Sequence, residues 1–150
     1  MSVSVQRQDF DIAAEIEHLT ASDPEIGAVV SFTGLVRQTT PGGSIASMEL
    51  EHYPGMTERA LEEIVAEARA RWPLQGVRVI HRHGPLKPGE RIVLVLTASR
   101  HRQAAFEAAE FLMDYLKTRA PFWKKEDTAE GARWVDARDA DTSAADRWRR

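Results

Sequence analysis

The chain has 150 residues, 43% hydrophobic and 29% charged, with a formal net charge of −3 and no cysteine. That balance describes one globular domain rather than a disordered chain or an array of modules, and at this length folding buries roughly 70% of the unfolded surface, enough for a core without disulfide or metal staples. The missing cysteine excludes thiol nucleophiles, thiolate zinc sites and iron–sulfur ligation; with no run of eighteen apolar residues and no signal-like N-terminus, a cytoplasmic protein is expected.

Val3–Gln6 alternates as a short strand, and Asp11–Thr20 has helical spacing at Ile12, Ile16 and Leu19. Gly27–Val36 reads as a strand rich in β-branched residues, and the QTTPGGS that follows reads as a loop. Ser47–Tyr53 alternates as a strand with one polar face, ended by Pro54–Gly55. After Thr57, the residues Leu61, Ile64, Val65, Ala68 and Trp72 form the apolar stripe of a helix that Pro73 stops. Gly76–Arg82 and Arg91–Thr97 are two further strands, joined by the turn-rich HGPLKPGE. A long helix runs from about His101 to Thr118, burying Ala105, Ala109, Leu112 and Leu116 and presenting Glu107, Glu110, Asp114 and Lys117, until Pro121 ends it. Trp123–Glu126 and Ala132–Val135 read as closing strands. No repeat or linker marks a boundary, so residues 1–150 are expected to form one domain. Residues from about 139 to 150 are helix-prone but too polar to dock, a fraying tail. The order of elements predicts an α+β domain with a mainly antiparallel sheet and packed helices.

The near-neutral total hides an uneven distribution. Residues 1–68 carry 3 Lys/Arg against 12 Asp/Glu, residues 69–125 carry 12 against 4, and residues 126–150 carry 5 against 7. Solvated surface charge accounts for such a pattern, and so does a cationic pocket for an anionic small molecule or an acidic protein face. Glycine-rich dinucleotide and phosphate loops, the zinc-protease H-E-x-x-H and the hydrolase G-x-S-x-G are all absent. His81 and His83 form an H-x-H pair that a strand would turn to one face, but two ligands are too few for a metal, and His52 and His101 have no evident place beside them. Ser99 and His101 lie close in sequence, which is no sign of a nucleophile and its base.

The distinctive cluster is Arg100, His101 and Arg102 at a helix start, Lys117 and Arg119 at its end, and Lys124 and Lys125 after the turn. A helix start offers unpaired backbone N–H groups and a positive dipole end, which with His101 and Arg102 makes a phosphate site. Lys117 admits two readings. It can be a last-turn lysine favoured by the dipole and by Asp114, or an amine crowded by Arg119 and Lys124 and thereby fitted for nucleophilic or acid–base work. Phe122 and Trp123 read as a wall excluding water from those amines, or as ordinary core.

LEHYPGMTE at 50–58, IHRHGPLKPGE at 80–90 and MDYLKTRAPFWKKE at 113–126, with SFTGLVR at 31–37, resemble the large, catalytic subunit family of molybdopterin synthase. The resemblance extends from about Gly27 to about Arg138. It implies an α+β fold of the α/β-hammerhead type and a central homodimer within a heterotetramer. A small ubiquitin-like sulfur-carrier subunit at each end would insert its C-terminal Gly-Gly thiocarboxylate. Two sulfurs would pass to cyclic pyranopterin monophosphate, a pterin phosphate, to form the molybdopterin dithiolene, with no cofactor and no metal required.

The same resemblance implies residue roles. Lys117 matches the lysine beside the carrier terminus, for activating the thiocarboxylate carbonyl or handling protons, and Lys124 matches a second essential lysine, for acid–base work on the pterin. Arg37, His101 and Arg102 match the positions that bind the substrate phosphate, Phe32 and Met113 match pocket-lining residues, and Arg138 matches a further arginine of the pattern. Arg100 stands where a small residue is usual, which implies a more cationic neighbourhood. A non-catalytic scaffold that docks a ubiquitin-like carrier is the alternative. Nucleic-acid binding lacks aromatic stacking platforms at suitable spacing, and no membrane association is expected.

Overall fold

The structure is a computed structural model that describes residues 2–40, 43–128, 131–135 and 139–149. Two sheets share the strands. The first has the order β1 (Val3–Gln6), β5 (Leu74–Arg82), β7 (Arg91–Ser99), β2 (Ala28–Leu35), with only the β1–β5 pair parallel. The second runs β3 (Thr39–Thr40), β4 (Gly43–His52), β8 (Phe122–Thr128), β9 (Gly131–Val135), with β6 (Gly84–Leu86) paired to β4. This is the α+β, mainly antiparallel architecture expected from the element order.

Strand alternation divides the first sheet into two apolar faces. Val77, Val79, Val93 and Val95 face α2 (Met56–Arg71) and α3 (Arg102–Arg119), meeting Leu61, Ile64, Val65 and Ala68 from the first helix and Phe111, Leu112 and Leu116 from the second. Ile80, Leu94 and Leu96 face the other way, toward Phe10 and the Ile12, Ile16 and Leu19 stripe of α1 (Ile12–Thr20). Asp11 caps α1 by accepting the Ala14 N–H at 3.1 Å. The second sheet has its own cluster of Val36, Ile45, Met48 and Leu86.

Three readings are corrected. QTTPGGS and HGPLKPGE are not wholly loops: they contribute β3 and β6, two- and three-residue strands that exist through pairing with β4. The tail expected to fray instead docks on α3 through α4 (Asp139–Asp146) and the 3₁₀ turn Arg147–Arg149. Ala145 is buried, and the Trp148 ring stands edge-on to Trp72 and Phe111, each 5.6 Å away. Its Nε1–H donates to Asp114 at 2.6 Å, and Arg147 pairs with Asp114 and Glu110. Polarity did not prevent docking because α3 supplies matching carboxylates. Arg138 lies outside the described residues.

Candidate active site

The two ends of α3 define two cationic neighbourhoods. At its start, His101 occupies the N-cap in extended conformation, and neither it nor Arg102 is buried. The first turn carries no acidic side chain, so the positive end of the helix is uncompensated from within. Gly27 makes this corner possible: its N–H donates to Ser99 O at 3.1 Å, and a Cβ there would stand 2.3 Å from the Arg100 carbonyl oxygen. Arg100 faces Glu25 at 3.6 Å, so it adds less positive charge to the corner than its sequence position implies.

At the other end, Lys117 is exposed in the last turn of α3. The chain then reverses through a turn held at three points. Pro121 O accepts from the buried Thr57 Oγ1 at 2.9 Å, which itself accepts the Tyr53 N–H at 2.9 Å. Phe122 N–H donates to Ala120 O at 2.9 Å, and the Phe122 ring stacks on His81 with centroids 3.9 Å apart. Along β8, alternation sets Phe122, Lys124 and Glu126 on one face and Trp123, Lys125 and Asp127 on the other. The first is the inner face: Glu126 is buried, Lys124 is half-buried, and Phe122 lies on the buried imidazole. Lys124 therefore shares the seam between the two sheets with the end of α3. The expected aromatic wall is split. Phe122 lines the seam, while Trp123 is 47% exposed on the outer face beside Tyr53, where Lys125 also lies over Trp134. Arg119 donates to Glu67 at 2.6 Å, and its guanidinium covers the Tyr115 ring.

His81 is the residue of this seam that sequence reasoning left as half of a histidine pair. Burial, then the charge of Lys117, then those of His83 and His52, push its pKa down to about 3, against the raising effect of a backbone hydrogen bond. His83 does not join it as a ligand but packs against His52, the rings tilted by 39° with centroids 4.1 Å apart, and its pKa is lowered by burial and by the charges of His52 and Arg7. Among the described residues no group of three or more His, Cys, Asp or Glu is arranged to hold a metal.

Sheet register places the remaining candidates. Leu35 pairs with Arg91 and His81 with Val93, so Arg37, exposed just beyond β2, lies at the same end of the sheet as His81 and Lys117. Ala28 pairs with Ser99, so His101 and Arg102 lie at the opposite end. Fifteen residues separate Arg102 from Lys117 along α3, roughly 22 Å at about 1.5 Å per residue. One chain therefore does not bring all the candidates into one pocket. Phe32, 41% exposed, stands opposite Val95 on the edge strand, and Met113 is half-buried against the main core. A groove lined by Val3, Glu15, His18, Leu19 and Arg78 lies elsewhere and contains none of the candidates.

Fold and seam together define a class, an α+β protein with two lysines gathered near the junction of its sheets. The comparisons narrow that class. The sequence model of the family described as MoaE protein matches residues 5–119. A molybdopterin synthase catalytic subunit of Mesorhizobium japonicum is 61% identical over 150 residues, covering 99% of this chain and 93% of the relative. Among solved structures, the molybdopterin biosynthesis MoaE protein from Burkholderia ambifaria superposes with a TM-score of 0.85 at 53% identity, covering 98% of this chain and 97% of that one. A protein–protein complex of subunits 1 and 2 of molybdopterin-converting factor from Helicobacter pylori shares the fold, with a TM-score of 0.74 at 20% identity over 91% of each chain. The chain belongs to the MoaE family.

Proposed function

We propose that the chain is the sulfur-transferring subunit of a molybdopterin synthase. It accepts the C-terminal thiocarboxylate of a small ubiquitin-like carrier and delivers two sulfurs to cyclic pyranopterin monophosphate, forming the dithiolene. The observation that carries this reading is the folding of MDYLKTRAPFWKKE into a helix end, a pinned turn and a strand whose inner face holds the second lysine. In each transfer the thiocarboxylate sulfur bonds to a pterin carbon as that carbon's bond to oxygen breaks, and water then hydrolyses the resulting thioester, leaving the sulfur on the pterin and an ordinary carboxylate on the carrier. Lys117 stabilises the charge that develops on the carrier's carbonyl oxygen, and Lys124 moves protons on the pterin. Arg37 holds the phosphate at the lysine end, Phe32 and Met113 shape the approach, and Arg138 adds a further cation. His101 and Arg102, set at the far end of α3, serve the same phosphate when a second copy of the chain presents them, which gives the homodimer a chemical reason to exist. The location is the cytoplasm, whose reducing conditions preserve a thiocarboxylate.

Incubation with thiocarboxylated carrier and cyclic pyranopterin monophosphate yields molybdopterin. Lys117→Ala lowers the rate at least about a hundredfold with the fold intact. No product from an authentic carrier overturns the reading, and full activity in the variant removes Lys117 from it.

A further inference from the structure

His81 joins elements that the transfer site needs to hold still. It lies on β5 of the first sheet, yet its ring is stacked at 3.9 Å and 22° on Phe122 of β8 in the second. Phe122 follows the turn that separates Lys117 from Lys124 and shares its strand face with Lys124. The imidazole Nδ1 lies 2.9 Å from the Arg82 carbonyl oxygen. A carbonyl only accepts, so Nδ1 carries the hydrogen and Nε2 keeps its lone pair, and the ring is held in one neutral tautomer and one orientation. Its in-register neighbours, Val5 on β1 and Val93 on β7, are apolar. The titratable groups around it are Lys117 from α3, His52 from β4 and His83 beyond its own strand, with Lys124 on the face of β8 that bears Phe122.

We propose that His81 is a positioning residue for sulfur transfer, a fixed aromatic ring that seats Phe122 and thereby sets the placement of Lys117 relative to Lys124. The proposal rests on the transfer reading above. What the site requires of position 81 is a flat ring that bears no charge beside Lys117. A protonated side chain there would repel that lysine, and an aliphatic one would leave Phe122 without its seat.

The test compares His81→Gln, His81→Phe, Phe122→Leu and the His81→Gln/Phe122→Leu double variant in single-turnover transfer from thiocarboxylated carrier, with carrier affinity and thermal unfolding measured alongside. His81→Gln keeps neutrality but loses the ring, and its maximal rate falls about ten- to a hundredfold, as misplacement of catalytic groups by about an ångström does, with carrier affinity within about twofold. His81→Phe restores the ring and recovers most of that rate. Phe122→Leu removes the stack from the other side, costs a similar factor, and the double variant is no worse than either single one, as expected for partners in one interaction. The proposal is overturned if His81→Gln transfers at the wild-type rate, or if His81→Phe falls as far as His81→Gln. Should His81→Gln not fold, a wild-type rate in Phe122→Leu overturns it equally. Failure of the wild-type chain to form product would instead sink the transfer reading itself.

Discussion

The neutral state of His81 has a thermodynamic consequence that can be measured without any substrate. Its pKa is about 3 in the folded chain, while an unfolded histidine titrates near 6.5. A group whose folded pKa is depressed contributes stability that is present above the unfolded value and is lost as pH falls toward the folded one. Between pH 7.5 and pH 5 the unfolded chain takes up a proton at this position and the folded chain does not, which costs about 2 kcal/mol of folding stability. His83, shifted in the same direction, adds to the total slope, whereas Asp9, held low by the Arg91 guanidinium, matters only below the usual carboxylate range. The contribution of His81 is isolated by difference. Urea unfolding of the wild-type chain and of His81→Phe at the two pH values should show the wild type losing about 2 kcal/mol more than the variant. Equal losses in both proteins would mean that His81 is not held neutral in the folded state, and the argument from its burial would fail.

Three other predictions concern the two ends of α3 and its outer face. Equal mixing and reassociation of inactive Lys117→Ala and Arg102→Ala chains should restore about a quarter of the wild-type activity, because half the dimers are mixed and each mixed dimer has one intact site out of two; a mixture no more active than its components would refute the shared site. Gly27→Ala drives a Cβ into the Arg100 carbonyl and should cost about 1–3 kcal/mol in urea unfolding, raising the KM for the pterin phosphate more than it lowers kcat. An unchanged KM in that variant would separate this corner from phosphate binding. Trp148→Ala removes a ring packed on Trp72 and Phe111 and the hydrogen bond to Asp114, and should lower stability by about 2 kcal/mol; a loss below 0.5 kcal/mol, roughly that of an ordinary surface change, would show that the tail does not dock in solution.

Long periodic elements were legible because their signal is local. The stripe of Leu61, Ile64, Val65 and Ala68 buries as its 3.6-residue spacing requires, and Val93 to Leu96 divide between the two faces of the sheet as period two requires. The short strands β3 and β6 were not, since two or three residues among prolines and glycines carry no period and are strands only through β4. The tail's docking was hidden for a related reason: Asp146, Arg147 and Arg149 read as solvated charge until Asp114 and Glu110 of α3 are placed opposite Arg147 and Trp148. Both candidate lysines were visible in one motif, but the seat beneath them was not, because His81 meets Phe122 across two sheets and 41 residues of chain. The H-x-H pair was the one signal at that position; too small for a metal site, it gave no hint of the ring opposite.

The length of α3 alone keeps its two cationic ends apart. Eighteen residues of α3 hold Arg102 at one end and Lys117 at the other, with the fully buried Ala105, Ala108, Phe111 and Leu112 between them, so these two cations do not converge within one chain. Arg37 reinforces the lysine end, while His101 and Arg102 lie at the uncompensated start of the helix beside Arg100, which faces Glu25. A substrate that carries both a phosphate and the carbons receiving sulfur needs anion contacts and proton-moving amines within a few ångströms of each other. Two copies related by a twofold axis would meet that requirement twice, each lending its helix start to the other's lysines. In that arrangement any sequence change that weakens the association of the copies lowers transfer without touching a residue of either pocket.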